Sequence, residues 1–140
     1  MTGQAETNLY IRSLTTCVQA KQQMVGNLDA VFVVKNDIVN DPSFFYPALS
    51  EVGGTRLEYL DTRSLLKRFR QTGKPFPAIE IKPMINSGDT LTVDCMDYSV
   101  GVRRGRVVLS VMGGTRVHWR FDASMRDYVM TNAQRWRPQM

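Results

Sequence analysis

The residues best suited to catalysis are a single histidine and a group of aspartates in the second half of the chain. His118 is the only histidine, so a serine or cysteine nucleophile would have to use it as its base. Asp94 and Asp97 lie close in sequence, and a β-bulge near Cys95 and Met96 would place both carboxylates on one side of a strand. Paired carboxylates can divide acid and base roles or hold a divalent cation. One candidate function is therefore a pocketed enzyme that uses His118 or the pair Asp94 and Asp97.

A structural interpretation of the same residues is simpler, and we favour it. His118 alternates with Arg116 and Arg120, which predicts a position on the solvent side of a strand. No partner that would orient it as a base is visible in the sequence. Asp94 and Asp97 can form cross-strand charge pairs with the many arginines. We therefore assign no catalytic residue, and we expect no metal and no cofactor.

Arginine supplies most of a formal net charge of +5, which biases encounters towards anionic partners. Basic residues that alternate along a sheet face can follow a phosphate backbone, and aromatic residues beside them would stack on bases. Trp119 and Phe121 are expected on the opposite face, so this stacking platform is missing. The alternative function is a small basic nucleic-acid or polyanion binder with a surface arginine stripe, formed by Arg103, Arg104, Arg106, Arg116 and Arg120.

An aromatic cluster supports the hypothesis that we place first. Prolines flank the segment from Phe44 to Leu49, which is too irregular for a long helix. Beside a sheet, such a segment can complete an apolar pocket of the kind that binds ligands. The pocket is expected to be lined by Phe44, Phe45, Tyr46, Tyr98 and Trp119. The leading hypothesis is thus a non-enzymatic ligand-binding or protein-interaction module, whose occupant is a protein partner or a small apolar ligand.

Two helices are predicted in the first half of the chain. From Ala5 to Val25, apolar residues recur at spacings of three and four, which indicates one buried helical face. The opposite face is expected to carry Lys21 among other polar residues. A second, shorter helix can be capped by Asp61 or Thr62 and should end at Gly73.

The second half of the chain alternates between apolar and polar residues from Ala78 onward, which is typical of antiparallel strands. A turn is expected at Gly113 and Gly114, and the last strand is expected at Tyr128 to Met130. The predicted fold is α+β, with the N-terminal helix packed on a curved, bulged antiparallel sheet of four to six strands and one further short helix. Residues 1–130 form this single domain, and residues 131–140 form a polar C-terminal tail.

This order of elements resembles the nuclear transport factor 2-like and cystatin-like folds, in which a curved antiparallel sheet wraps a long N-terminal helix. The resemblance covers most of the chain by element order and includes no residue motif. It implies a fold but no activity, because that superfamily contains enzymes, ligand-binding domains and interaction modules.

The remaining features concern redox state, compartment and assembly. Cys17 and Cys95 fall at apolar positions typical of buried free thiols, and a disulfide between them stays open. The polar start, Met1 to Asn8, lacks the features of a signal peptide, which favours the cytoplasm over a secreted mature fragment. No stretch approaches the roughly 18 apolar residues of a membrane span. An exposed edge strand could pair with a second copy, so a dimer stays open as well.

Overall fold

The computed structural model of the chain describes residues 3–26, 28–35 and 49–138. Two helices and eight strands are present in this part of the chain, which confirms the α+β class. In chain order they are α1 (Gly3–Val25), β1 (Ala30–Val34), β2 (Glu51–Val52), β3 (Thr55–Leu60), α2 (Thr62–Thr72), β4 (Phe76–Ile81), β5 (Ile85–Ser87), β6 (Thr90–Arg103), β7 (Arg106–Asp122) and β8 (Asp127–Trp136).

The strands form one open sheet in the order β2-β3-β1-β4-β6-β7-β8, with β5 paired to β6 outside this path. β1 is parallel to both of its neighbours, β3 and β4, and the other pairs are antiparallel. The expectation of four to six strands, all antiparallel, was therefore wrong: the sheet has eight strands and is mixed. The physical reason is the α2 crossover, since a helix that joins two strands of one sheet allows them to run parallel.

The two helices lie on opposite faces of this sheet. Neighbouring residues of a strand point to opposite faces, and in β1 Val33 belongs to the core beneath α1 while Val34 belongs to the core beneath α2. In β4, Ala78 and Ile79 divide in the same way. The sheet is therefore covered on both faces, although each helix covers only part of its length.

The core beneath α1 is the larger of the two. Leu14 and Val18 of α1 are fully buried against the sheet, as the apolar spacing of the helix predicts. Cys17, between them, forms a disulfide with Cys95 of β6. The predicted burial of both cysteines is confirmed, but they are not free thiols. The disulfide joins the helix covalently to the sheet that it covers.

Local interactions define both ends of α2. The Asp61 carboxylate accepts a hydrogen bond from the Ser64 amide at 2.8 Å, and this bond holds the pKa of Asp61 below its ordinary value. At the other end Gly73 adopts a left-handed φ of 68° and donates its amide to the Phe69 carbonyl. Since residues with a Cβ avoid this conformation, the predicted cap and stop of the helix are confirmed.

The β6–β7 hairpin corrects the predicted turn at Gly113 and Gly114. Both glycines lie inside β7, paired with Asp97 and Met96 of β6. The register shifts beside them because Met112 has no partner on β6. The bulge is therefore on β7 and not, as predicted, between Cys95 and Met96 on β6. Residues 106–122 form one continuous strand where we expected two strands and a turn.

Glycine is required at Gly114 by its neighbours rather than by a turn. A Cβ at this position would lie 2.7 Å from the Cys95 carbonyl oxygen and 2.7 Å from the Trp136 ring. Both distances are well inside van der Waals contact, and the carbonyl belongs to a backbone that cannot move freely. The glycine therefore allows the ring of Trp136 to lie directly on the sheet.

Along β6 the apolar side chains switch from one face of the strand to the other, and this switch suggested a bulge. It is explained by which helix covers each half of the strand. The pairing of β6 with β4 is continuous, so alternation along β6 is uninterrupted. Leu91 and Val93 face α1, whereas Tyr98 and Val100 belong to the core beneath α2. The buried face of β6 thus changes because α1 covers one half of the strand and α2 covers the other half.

The final strand is longer than predicted. β8 extends through Trp136, so most of the expected polar tail belongs to the sheet. Its register against β7 shifts at Thr131, which has no partner. The strand forms one edge of the sheet, where bulges are common.

Candidate functional site

The aromatic residues that we expected to share a pocket do not come together where the structure describes them. Phe44, Phe45 and Tyr46 lie outside the described residues. Trp119 is only 2% exposed in the core beneath α1, whereas Tyr98 belongs to the core on the other face. The two described members of the predicted pocket are therefore separated by the sheet.

The arginine stripe is divided by the bulge in β7. Arg106 and Arg116 are ten residues apart, so strict alternation would place them on one face. The extra residue Met112 reverses the alternation between them, and they lie on opposite faces. Arg116 is also engaged: its Nε donates to Asp94 Oδ1 at 2.8 Å, and this bond raises its pKa. Arg120 Nε donates to an Asp89 oxygen at 3.2 Å.

The candidate acid and base residues are also apart. Asp94 and Asp97 lie three residues apart on the regular strand β6 and point to opposite faces. Asp94 lies directly across from Arg116, which confirms the predicted cross-strand charge pair. His118 is partly buried, and its Nδ1 lies 3.0 Å from the hydroxyl of Thr92. None of the described residues places a carboxylate beside this imidazole.

A groove opens beside the C-terminal end of α1. It has a volume of about 650 Å³, within the usual range for ligand sites. Its sides are apolar and include Met24 and Met112, which are 53% and 59% exposed. The other lining residues are Lys21, Pro75, Phe76, Pro77, Asp97, Tyr98, Ser99, Val111, Arg135, Arg137 and Pro138.

An ion triad lies in this groove. Asp97 is 8% exposed, and its Oδ1 lies 3.5 Å from Lys21 Nζ of α1. Its Oδ2 lies 2.8 Å from Arg135 Nη1 of β8. The same nitrogen also donates to the Thr115 hydroxyl at 2.9 Å, so Arg135 Nη1 contacts two partners. The triad links the helix, the middle of the sheet and its edge strand.

Sequence reasoning missed the triad, because it singled out Asp97 only as a possible partner of Asp94 and did not single out Arg135. Lys21 was assigned to the outer face of the helix, yet it follows Leu14, Cys17 and Val18 at spacings of three and four. Those spacings place it on the buried stripe, where a charge needs a partner. Asp97, between Met96 and Tyr98 in a buried strand, is a second buried charge, and its sign is opposite to that of Lys21. Lys21 and Asp97 could be identified from the sequence as buried charges, but their pairing with each other and with Arg135 could not.

A second buried charge cluster lies on the α2 face. Glu80 is 3% exposed. Its Oε1 accepts a hydrogen bond from the Tyr98 hydroxyl at 2.8 Å and lies 2.7 Å from Lys82 Nζ. Burial, then the bond to Glu80, raises the pKa of Tyr98. Burial opposes the charged form of Lys82, but its hydrogen bond and attraction to Glu80 outweigh this and raise its pKa.

This cluster predicts a loss of stability above about pH 10. Because the folded state raises the pKa of Tyr98, its contribution is fully present below the unfolded pKa and is lost as the pH rises through the folded pKa. We expect the urea midpoint to fall between about pH 8 and about pH 11. The urea midpoint of the variant Tyr98→Phe should fall less over this pH interval. An equal loss in the variant and the wild type would contradict the assignment.

The described residues contain no group of histidine, cysteine and acidic side chains that could hold a metal ion. Within the same part of the chain, neither helix is long and apolar enough to span a membrane.

Comparisons with known proteins add no family to this geometry. A scan against protein-family models finds no match, and searches of curated proteins and of solved structures find no match either. A function must therefore be argued from the groove and the charged surfaces themselves.

Proposed function

We propose that the domain is a non-enzymatic binding module whose site is the groove beside the end of α1. The occupant that fits it is a small amphipathic molecule with an apolar body and one anionic group. The observation that carries the proposal is the position of the Lys21, Asp97 and Arg135 triad in a groove with apolar sides.

The charge of the groove favours an anion. Two cations, Lys21 and Arg135, share the single carboxylate of Asp97, which leaves an excess of positive charge. Arg137 also lines the groove and has no ion pair with any described residue. A ligand carboxylate there would gain charge-assisted hydrogen bonds in a setting partly shielded from water.

The arrangement of Asp97 supports binding rather than catalysis. Each of its oxygens faces a cation, so the carboxylate is held in place. A general base needs a free oxygen within reach of a substrate proton. The resemblance in element order to nuclear transport factor 2-like and cystatin-like folds is compatible with a ligand-binding module, and we retain it as part of the proposal.

Methionine methyl groups provide the test. We expect titration with decanoate to shift the ¹³C-methyl signals of Met24 and Met112 in a saturable manner, because both side chains line the groove. Met125 and Met130 are also exposed but lie outside it, and their signals should stay in place. Decanol should bind more weakly than decanoate because it lacks the charge.

A pair of arginine variants identifies the contribution of charge. Arg137→Ala should weaken decanoate binding by roughly tenfold, since hydrogen bonds to charged groups contribute about 1.5 kcal/mol or more. Arg126→Ala removes the same charge from the β7–β8 turn, outside the groove, and should have little effect. Equal shifts at all four methionines, or equal affinity for decanol, would contradict the proposal.

A further inference from the structure

The basic residues that the structure describes divide into those with an ion pair and those without one, and the largest group without an ion pair lies on and just after α2. Several cations of the sheet do form ion pairs, as with Lys82, Arg116 and Arg135. On and just after α2, five exposed cations have no ion pair with a described residue: Arg63, Lys67, Arg68, Arg70 and Lys74. Arg68 lies over the ring of Phe32. Between Thr62 and Ile79 the chain has no acidic residue.

Three of these cations form a stripe along the helix. Arg63, Lys67 and Arg70 are spaced by four and three residues, which places them on one side of α2 with neighbouring Cβ atoms about 5 to 6 Å apart, and Lys74 follows just beyond the Gly73 stop. Arg63, Lys67 and Arg70 line a shallow hollow of about 290 Å³ on the surface of α2. The helix cap at Asp61 and the burial of Leu65 against the sheet hold the stripe in a fixed orientation.

Helix stability does not account for the stripe. A cation near the C-terminus, such as Arg70, is favoured by the helix dipole, but Arg63 lies in the first turn, where the dipole disfavours a positive charge and the nearby Asp61 carboxylate attracts it. Like charges three and four residues apart also repel one another. Solubility does not require such segregation, because mixed charges serve it equally well. The cations are present although their mutual repulsion lowers the stability of the helix, which is typical of a functional surface.

We propose that α2 binds the phosphate backbone of duplex nucleic acid without sequence specificity. A regular row of cations on a rigid helix matches a polymer with regularly repeated negative charges. The large apolar side chains exposed in the described structure include none on α2, so the surface lacks the inserting residues of a membrane-binding helix. It also lacks exposed aromatic rings for stacking, so single strands gain no advantage. The Arg103–Arg106 turn of the β6–β7 hairpin adds to the positive potential of the molecule.

The variant Lys67→Glu distinguishes an effect on nucleic-acid binding from an effect on the stability of the fold. The substitution removes a repulsion with Arg63 and Arg70 and replaces it with attraction, so Tm should rise or stay the same. Binding should weaken, because the variant loses a cation and adds an anion to the stripe. The matched control is Arg116→Gln with Arg120→Gln, which changes the net charge by the same amount on residues that are already paired.

The experiment measures fluorescence anisotropy of a labelled duplex of about 20 base pairs between roughly 50 and 200 mM salt. We expect the slope of log affinity against log salt to be steep for the wild type and to lose at least about one unit in Lys67→Glu. The control should retain nearly the wild-type slope. The proposal is overturned if affinity does not depend on salt, if the control weakens binding as much as Lys67→Glu, or if vesicles of anionic phospholipid displace the duplex.

Discussion

Replacing Cys17 and Cys95 together by alanine should lower the free energy of unfolding by about 4.5 kcal/mol. The two residues are 78 positions apart, and a cross-link that closes a loop of this length restricts the unfolded chain by about that amount. The Cα atoms are 6.5 Å apart, within the range that a disulfide spans. Urea unfolding of the variant and the wild type measures the difference.

Reduction of the wild-type protein measures the stability that comes from the covalent cross-link apart from the stability that comes from side-chain packing. Both cysteines are buried, so alanine also removes two sulfur atoms from the core. Wild-type protein with a reducing agent loses only the covalent bond, and its stability should fall nearly as far as that of the variant. Thiol titration of the denatured protein should find no free thiol before reduction. Two free thiols at that stage would contradict the disulfide and leave only the smaller packing loss.

The disulfide bears on the redox state in which the protein works, because stable disulfides are typical of oxidising compartments. We therefore expect the oxidised form to be the functional one. Because both cysteines are buried, denaturation of the cell extract in the presence of a thiol-alkylating reagent tests this point: an oxidised protein should take up no label.

Trp119→Ala should destabilise the fold by about 3 to 5 kcal/mol, because a large buried side chain leaves a cavity that the core cannot fill. The ring is 2% exposed, its Nε1 donates to the Ser13 hydroxyl at 2.8 Å, and Arg12 lies over its face at 4.4 Å. Ser13→Ala should cost about 1 to 3 kcal/mol, since it leaves a buried donor without a partner. Chemical denaturation monitored by circular dichroism measures both losses.

Phe121→Ala is the matched control for Trp119→Ala. Both residues are aromatic and lie two positions apart on β7, but Phe121 is 48% exposed and contacts Tyr128 edge to face. Its loss should cost about 1 kcal/mol. If Trp119 lined a ligand pocket, as its sequence context first indicated, Trp119→Ala would abolish binding at little cost in stability. A loss no larger than that of Phe121→Ala would contradict its place in the core.

The sequence by itself determined the elements whose signals are local. The apolar spacing of α1, the Asp61 cap and the Gly73 stop of α2 depend on contacts within a few residues, so a single segment contains the necessary information. The pairing of Asp94 with Arg116 was predictable in kind, because an alternating strand rich in arginine needs carboxylates across from it.

Only the tertiary structure decided how segments distant in sequence meet. Alternation along β7 gives no sign that Met112 is unpaired, yet that one residue places Arg106 and Arg116 on opposite faces. The glycine pair at Gly113 and Gly114 resembles a turn locally, but the ring of Trp136 occupies the space above Gly114.

The candidate groove depends on tertiary structure for the same reason. Lys21, Asp97 and Arg135 come from the first helix, the middle of the sheet and the edge strand. Lys21 and Asp97 each place a charge at an otherwise buried position, which a sequence can reveal, whereas Arg135 lies on a largely exposed strand. Which charge neutralises which is set by strand order and register, and long-range pairing of this kind has no local signature. The chain therefore specified the charged residues, and the fold decided that they form one site.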